Sequence, residues 1–392
     1  MKDVGILSVK TFNYGSLLQT YALQTYVSNL GLSNELVNYQ KNNPIRQMVR
    51  LIYLPLLSDI LHRVLKKRTA ERKNPKYKKY VENRNATFFG FVRDYIHESK
   101  PYKGRKSLIQ SCKNYRCILL GSDQVWHPFN YGAHFFDMSF VDANTPKLAY
   151  APSFGVSTIP YYQKNMMRKY LSRIDVLSVR EKSGQYLIKS LTGKDSLVVC
   201  DPTMLLTKEV WQRFMSEQVI SDKYIFCYFI GDNPSHRNFA KRLSEHTGLK
   251  IVTLKHIYCY RDCDVNFGDI SPLNVGPKEF VRLIHDAEYI CTDSFHGTVF
   301  SILNEKQMFT FARFKNSSMS ANSRLTTLFE TFGLSDRFIS SELSVEKAMK
   351  IPDIDYDIVS EKLRSYRQKS EEFLKENLMK YCGNDAKYRK DC

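Results

Sequence analysis

Short apolar runs alternate with amphipathic segments from the first residues of the chain. The apolar run 4–9 is followed by a loop, by a segment at 17–30 whose apolar residues recur at helical spacing, and by a second apolar run at 34–40. Gly31, directly after the amphipathic segment, belongs to the residue type that most readily ends a helix. This order predicts a β-α-β unit, the building block of a parallel sheet.

The alternation continues in two series after an interruption at 41–100. In the first series we predict strands at 115–121, 147–153, 176–181 and 196–202. In the second series we predict strands at 223–232, 248–254, 286–292 and 306–312, separated or followed by helices at 235–247, 277–286, 297–305 and 324–333, with a long C-terminal helix at 357–382. Strands that alternate with helices in this way are typical of parallel sheets with helices on both faces.

The second series restarts the count of strands and helices after residues 203–222, which indicates a domain boundary there. We expect an α/β fold of two Rossmann-like, doubly wound domains that face each other across a cleft. The predicted parts are an N-terminal domain at 1–205 with a basic helical insertion at 41–100, a C-terminal domain at 206–345, and a C-terminal helix with a basic, cysteine-containing tail at 346–392.

Composition agrees with two globular cores. The chain has 392 residues, 43% of them hydrophobic, and no uninterrupted apolar stretch of about 18 residues that would predict a membrane-spanning helix. Its start leads into a strand-like run and lacks the pattern of a secretory signal. The nine cysteines form no Cys-x-x-Cys pair, which favours reduced thiols and a cytoplasmic location.

Charge is strongly positive, at +18, and is concentrated in the insertion, where 15 Lys and Arg stand against 5 Asp and Glu. This excess favours anionic partners, although no recognised RNA or DNA module accompanies it, so we expect no nucleic acid partner. Within segment 50–68 an apolar stripe lies beside a basic face. Such a helix can lie peripherally on the anionic inner face of the cell membrane, or pack on the N-terminal domain with a solvated face.

Polar clusters stand where the predicted strands end. They are Asn13-Tyr14-Gly15, Asp123, Arg180-Glu181, Asp201, and the loop that carries His296. Ligands of doubly wound folds bind at the carboxyl edge of the sheet, where helix N-termini offer free N–H groups to anions. Taken singly, each cluster is also explained by turn chemistry, by a helix cap or by a salt bridge to a neighbouring acid.

His296 lies between a predicted strand and the following helix, in the stretch CTDSFHGTVFSI (291–302). A histidine at a helix start can hydrogen-bond to the backbone and serve the fold alone. It can also transfer protons near neutral pH, beside an anionic substrate held by the helix N-terminus. The sequence pattern leaves both interpretations open.

Taken together, these motifs resemble the polysaccharide pyruvyl transferase family over about residues 3–340. The resemblance rests on motifs that occur in the family's order and at similar spacing: the opening GILSVKTFNYGSLLQTYALQTYV, GSDQVW at 121–126, AYAPSFG at 149–155, SVRE at 178–181, CDPT at 200–203, DSFHG at 293–297 and NSRL at 322–325. Residues 41–100 and the cysteine-bearing tail match the family less well.

The resemblance implies a GT-B-like pair of domains and transfer of a pyruvyl group from phosphoenolpyruvate to a sugar, with formation of a cyclic ketal. The sugar would belong to a bacterial surface polysaccharide or its lipid-linked precursor. Because phosphate is the leaving group, no further cofactor and no metal is expected. The alternative from the same fold is a glycosyltransferase that uses a nucleotide sugar.

Site residues follow from the matching positions. The resemblance makes His296 the proton-transfer residue and Arg180 the clamp for the donor's carboxylate or phosphate, because a guanidinium binds either anion with two parallel hydrogen bonds. The predicted substrate-binding residues are Asn13, Tyr14, Gly15, Asp123, Glu181, Ser294, Gly297, Arg313 and Arg324.

A metal site is not predicted elsewhere in the chain. His256, Cys259 and Cys263 have a spacing that matches no standard zinc motif. Neither a GxGxxG nor a GxxxxGK[ST] motif occurs, so the dinucleotide and Walker-type phosphate sites lack support.

Overall fold

Two parallel sheets organise the chain. The computed structural model describes residues 1–40, 65, 67–72, 74–128, 135–257, 260–313, 322–340 and 342–383. The strands of the first half are β1 (Lys2–Leu7), β2 (Asn34–Leu36), β3 (Tyr39–Gln40), β4 (Tyr102–Lys103), β5 (Tyr115–Leu120), β6 (Lys147–Ala149), β7 (Val176–Val179) and β8 (Leu197–Val198). Those of the second half are β9 (Tyr224–Tyr228), β10 (Lys250–Thr253), β11 (Tyr289–Thr292), β12 (Gln307–Phe311) and β13 (Phe338–Ile339).

The larger sheet has the order β2-β1-β5-β6-β7-β8, and the second has the order β10-β9-β11-β12-β13. All neighbouring strands in both sheets run parallel. The order reverses between β1 and β5 in the larger sheet and between β9 and β11 in the other, as in a doubly wound fold. The predicted α/β class, with two Rossmann-like domains, is therefore confirmed.

Helices connect and cover the strands. They are α1 (Tyr14–Asn29), α2 (Pro75–Tyr95), α3 (Gly104–Ser111), α4 (Tyr161–Ser172), α5 (Lys182–Thr192), α6 (Lys208–Phe214), α7 (Pro234–Thr247), α8 (Pro277–Asp286), α9 (Phe295–Leu303), α10 (Ser323–Phe332), α11 (Val345–Ala348) and α12 (Tyr356–Cys382). Several begin at a side-chain cap that satisfies free N–H groups, as Asn13 does for α1 and Ser294 for α9.

One predicted strand, 34–40, divides into β2 and β3. The N–H of Ser99 donates to the carbonyl of Leu36, and the N–H of Tyr102 donates to the carbonyl of Asn38. The chain therefore leaves β1 after β2 and pairs with the segment that follows α2, forming the separate two-stranded sheet of β3 and β4. This exchange of partners depends on residues far away in sequence, which a local apolar pattern does not contain.

The core between the two halves is apolar and centred on α1. Tyr14 stacks on Phe280 of α8, with ring centroids 4.4 Å apart, and its hydroxyl donates to the carbonyl of Val275 at 2.9 Å. Helix α12 also joins both halves: the Tyr356 hydroxyl donates to the carbonyl of Lys306, and the Ser370 hydroxyl accepts from the N–H of Cys200. These contacts fix the two sheets relative to each other.

Most of the predicted membrane-binding segment, 50–68, lies outside the described residues. Of the insertion, α2 is described and packs with one face against the second half of the chain. Over the part of the chain that the structure describes, no helix is long and apolar enough to cross a membrane. Membrane association of 50–68 stays a prediction.

Candidate active site

The two points where strand order reverses meet at one cleft. Its volume is about 430 Å³. The larger sheet contributes the residues that follow β1 and β5, and the second sheet contributes those that follow β9, β11 and β12. The lining residues are Val9, Thr11, Asn13, Ser16, Asp123, Gln124, Ile230, Ser294, Phe295, His296, Arg313 and Arg324. A cleft at two switch points is the expected ligand site of such a fold.

His296 lies in the first turn of α9, and its ring points toward the N-terminal domain. The Ser294 hydroxyl caps the helix by accepting from the N–H of Gly297 at 3.3 Å. A Cβ atom on Gly15, at the start of α1, would lie 2.0 Å from Nδ1 of His296. Only glycine fits there, so the N-termini of two helices approach each other around the imidazole.

A carboxylate from the N-terminal domain faces the same ring. Nε2 of His296 lies 3.4 Å from Oδ2 of Asp201, whose side chain is fully buried. Asp201 in turn caps a short 3-10 turn, accepting from the N–H of Thr203 at 2.9 Å. Because its carboxylate is fixed from one side by the backbone, it is suited to orient the imidazole from the other.

Four charges form a buried network behind the histidine. Nη2 of Arg180 lies 2.9 Å from Oδ2 of Asp201, and Nη1 lies 3.9 Å from Oδ1 of Asp123. Nη1 of Arg324 lies 3.8 Å from the same Asp123 oxygen. Asp123 also accepts from the Ser16 hydroxyl at 2.7 Å. The four charges therefore alternate in sign, from Asp201 through Arg180 and Asp123 of the N-terminal domain to Arg324 of the C-terminal domain.

The network changes how its members ionise. Burial alone would raise the pKa of the Asp123 carboxyl, but Arg180, His296 and Arg324 outweigh burial and hold that pKa below its usual value. Burial also acts to raise the pKa of Asp201, but the charge of Arg180 outweighs it and keeps this pKa well below its ordinary range. Burial lowers the pKa of Arg324 to about 10, and repulsion from Arg180 adds to this effect.

Phe295 is packed between the two guanidinium groups. The guanidinium carbon of Arg180 lies 4.9 Å from the ring centroid, and that of Arg324 lies 5.3 Å from it. An aromatic face attracts cations, so this ring separates two like charges and stabilises both. Nε of Arg324, and both Nε and Nη1 of Arg180, have no hydrogen-bond partner in the described residues.

A third aspartate, Asp293, fixes the loop that precedes His296. Asp293 accepts hydrogen bonds from the N–H groups of Ile230 and Gly231, at 2.6 and 2.9 Å. Nδ1 of the buried His236 lies 3.7 Å from its carboxylate. Arg313 donates to the Asp293 carbonyl at 3.0 Å. The carboxylate therefore joins the ends of β9 and β11, and the backbone carbonyl of the same residue holds Arg313 at the cleft wall.

A model of the polysaccharide pyruvyl transferase family matches residues 13–315. This chain belongs to that family. The match includes α9, Arg313 and most of the cleft residues of the first sheet, whereas Val9 and Thr11 lie before it and Arg324 lies just beyond it. A sequence search of curated proteins found no match.

Solved structures resemble this pyruvyl transferase family member in overall fold at low sequence identity. They include the glycosyltransferase SnogD from Streptomyces nogalater, with 12% identity and a TM-score of 0.47, covering 97% of this chain and 98% of SnogD. UGT89C1 from Arabidopsis thaliana has 9% identity and a TM-score of 0.49, covering 97% and 99%. UDP-GlcNAc 2-epimerase from Neisseria meningitidis, bound to UDP-GlcNAc, has 10% identity and a TM-score of 0.44, covering 93% and 100%. These similarities concern the fold alone and do not indicate the substrate of this chain.

The family member's predicted site residues divide into two groups. The structure brings one group to the cleft or directly against His296: Asn13, Gly15, Asp123, Ser294, Gly297, Arg313 and Arg324. Arg180 lies behind this surface, buried in ion pairs with Asp123 and Asp201, as the salt-bridge alternative anticipated. Its direct contact with a donor stays a prediction.

Tyr14 and Glu181 point elsewhere. Tyr14 belongs to the core between the domains. Oε1 of Glu181 accepts from the Ser153 hydroxyl and from the N–H groups of Phe154 and Gly155, so it holds the loop after β6. Burial raises the pKa of this carboxyl above its usual value. In the structure, both residues support the elements that carry the cleft.

Sequence reasoning gave no role to several residues that the fold brings to the histidine. The local pattern identifies Asp201 only as a strand-end aspartate, and Phe295 and Asp293 only as members of the DSFHG motif. A strand-end aspartate before proline was the available signal for Asp201. Its partnership with His296 joins residues almost a hundred positions apart and is visible only in three dimensions.

Within the described ranges, no group of three or more histidine, cysteine, aspartate or glutamate side chains is placed so that it could hold a metal ion. Cys259, a member of the rejected 256/259/263 pattern, lies outside those ranges.

Proposed function

We propose that this pyruvyl transferase family member moves a pyruvyl group from phosphoenolpyruvate to two hydroxyls of one sugar in a bacterial surface polysaccharide or its lipid-linked precursor. The observation that carries the proposal is the position of His296, in the first turn of α9 at a cleft lined by Arg313 and Arg324. The family match supports the reaction type. The donor, the ketal product and the acceptor are those that the resemblance to this family implies.

The donor carries a carboxylate and a phosphate, and both require cations or N–H donors. Arg324 and Arg313 line the cleft, and α9 directs its N-terminus toward the same space. A guanidinium fork suits either anion, and a helix N-terminus adds a partial positive charge. We assign donor binding to these two arginines, with Arg180 as a supporting charge or a second contact.

His296 is then the proton-transfer residue. In the reaction, a proton adds to the donor's methylene carbon, which becomes a methyl group, and a sugar oxygen bonds to the adjacent carbon as its own proton leaves. The bond between that carbon and the phosphate oxygen then breaks, and the second hydroxyl bonds to the same carbon and closes the ketal, its proton leaving with the phosphate. Asp201, 3.4 Å from Nε2 of His296, would orient the imidazole, and Asp123 lies at the cleft surface, where it can accept a hydrogen bond from a sugar hydroxyl.

The membrane-facing part of the proposal concerns the acceptor. A lipid-linked saccharide would be reached at the inner face of the cell membrane, and the basic segment 50–68 would supply the attraction to anionic headgroups. Sedimentation with anionic liposomes at low salt tests this part. Absence of binding, together with unfolding on replacement of Leu57 and Leu61 by Ser, would show that the segment belongs to a core.

The decisive experiment compares donors. The melting temperature of the purified chain is measured in the presence of phosphoenolpyruvate, of UDP-sugars and of an oligonucleotide. Only a ligand that favours the native state raises it. Lipid-linked saccharides are then incubated with phosphoenolpyruvate, and phosphate release and a 70-dalton gain in product mass, about that of a ketal-bound pyruvyl group, are followed. Stabilisation and transfer with a UDP-sugar in its place would contradict the proposal and favour a glycosyltransferase.

A further inference from the structure

A second cavity, of about 260 Å³, lies between the start of α2 and residues 255–256 and 260–273 of the second half. We name it the α2 pocket. It shares no lining residue with the cleft. Its lining residues are Asn74, Lys76, Tyr77, Tyr80, Lys255, His256, Tyr260, Arg261, Asp264, Val265, Ser271 and Leu273. Neither the family match nor the proposed reaction assigns it a role.

Tyrosine rings form the apolar part of the α2 pocket. Tyr77 and Tyr260 meet edge to face, with ring centroids 5.1 Å apart. The Tyr77 hydroxyl donates to the carbonyl of His256 at 3.1 Å, which ties α2 to the second half. Tyr77 and Tyr80 are both buried. Such fixed aromatic faces, with polar groups at their edges, match a ring that has an apolar face and a hydroxylated rim.

The charged part of the pocket is positive. Lys76 and Lys255 make no ion pair within the described ranges, and Arg261 reaches out to Asp232 at 2.8 Å. The acidic residue of the lining, Asp264, is already held by the buried Arg237, at 2.8 Å from Nε and 2.6 Å from Nη2. The pocket therefore offers cationic groups that are not neutralised by its own carboxylate.

Arg84 adds an uncompensated charge behind the tyrosines. It is 1% exposed and donates to the Tyr80 hydroxyl. Its guanidinium carbon lies 4.7 Å from the Tyr80 ring centroid and 5.3 Å from that of Tyr14. Across the described ranges, no carboxylate lies within ion-pair distance of it. A buried cation without a counter-charge is costly, so an anion bound nearby would stabilise the native state.

We infer that the α2 pocket binds an anionic sugar, that is, a sugar ring bearing a phosphate or a carboxylate. The tyrosines would contact the ring, and Lys76 and Lys255 would bind the anion. The ligand is either a unit of the acceptor glycan, which rests on the proposed function, or a free sugar phosphate. Tyr14 lies between the pocket and the cleft: its ring faces Arg84, and the preceding residue, Asn13, lines the cleft.

Binding is tested by calorimetric titration of the full chain with glucose 1-phosphate, glucuronate, methyl glucoside and UMP at low ionic strength, with phosphoenolpyruvate present to occupy the cleft. We expect the two anionic sugars to bind and methyl glucoside to bind at least about tenfold more weakly, because it lacks the charge-assisted bonds. Added salt should weaken the anionic ligands. Equal affinity for methyl glucoside, no binding of either anionic sugar, or tighter binding of UMP would overturn the inference.

Lys255→Gln supplies the site-directed test, and Lys79→Gln on the exposed side of α2 is its matched control. We expect at least about a fivefold loss of affinity for glucose 1-phosphate in the first and none in the second. Equal losses would mean a diffuse charge effect and would refute the site. Affinity for phosphoenolpyruvate, measured on the same proteins, should not change. If phosphoenolpyruvate does not bind to the wild-type protein, the proposed donor is wrong, but the result for the α2 pocket still stands.

The source of the anion is distinguished by acceptor kinetics. If the ligand is part of the acceptor, Lys255→Gln raises KM for an acidic oligosaccharide but not for a neutral one. If it is a free sugar phosphate, the variant loses affinity for glucose 1-phosphate while both acceptor KM values stay at the wild-type level. Both results support an anionic sugar site.

Discussion

The two walls of the cleft use charge differently. On the N-terminal side, Arg180 and Asp201 pair with each other, and both side chains are almost completely buried. On the C-terminal side, His296, Arg313 and Arg324 line the open volume. The Arg180–Asp201 pair lies away from the cleft surface and fixes orientations, whereas His296, Arg313 and Arg324 present groups to a ligand, with Arg324 also facing Asp123 of the first wall at 3.8 Å. Substitutions on the two walls should therefore differ in whether stability or activity suffers first.

The largest effect is expected from Asp201→Asn. It removes the counter-charge of buried Arg180, and breaking a buried ion pair typically costs about 3–5 kcal/mol of unfolding free energy. Denaturant unfolding measures this loss. The control is Asp195→Asn, which removes a surface pair with Lys189 and should cost less than about 1 kcal/mol. Similar losses in the two variants would mean that the network contributes no more than a surface contact.

His296→Asn tests the opposite wall. We expect kcat to fall at least about a hundredfold while the melting temperature stays nearly constant, because a general acid-base group contributes about 10²–10⁴-fold in rate. His246→Asn, at an exposed position of α7, controls for loss of an imidazole. Retained turnover, or loss of activity only through unfolding, would make His296 a residue of the fold.

Gly15→Ala tests the contact between the two walls, because Gly15 belongs to the first wall and packs against His296 of the second. The added methyl group would meet the His296 ring, and displacement of a catalytic group by about 1 Å can cost up to about a hundredfold in rate. Gly90→Ala is the control, since a Cβ atom there meets nothing within 4 Å in helix α2 and should stabilise the protein by about 0.5–1 kcal/mol. An active Gly15→Ala variant would show that α1 does not position the imidazole.

The smallest effect distinguishes two arginines. Arg324→Lys keeps the charge but loses the fork, so KM for phosphoenolpyruvate should rise about tenfold, with a small change in stability. Arg180→Lys should instead lower the unfolding free energy, because its bonds to Asp201 and Ser122 are internal. The reverse result, with donor affinity lost only in Arg180→Lys, would return the donor clamp to Arg180.

Local pattern was sufficient for most of the secondary structure. The predicted helices at 277–286 and 357–382 agree with α8 and α12 to within one residue, and strand-end motifs correctly indicated the edge of the sheet where the cleft lies. Apolar periodicity determines which face of an element is buried, and a parallel sheet places all strand ends of one kind at one edge. Fold class and the approximate location of the site follow from these two facts.

Tertiary structure decided which polar residues meet. In the sequence, Arg180 and Asp201 are separate strand-end residues. They form one network with His296 only because β7, the turn after β8, and α9 pack together. Likewise, the α2 pocket combines residues 74–80 with residues 255–256 and 260–273, which no local pattern connects. Periodicity records whether a residue is buried but not against which partner, because partners distant in sequence are chosen by the packing of whole elements.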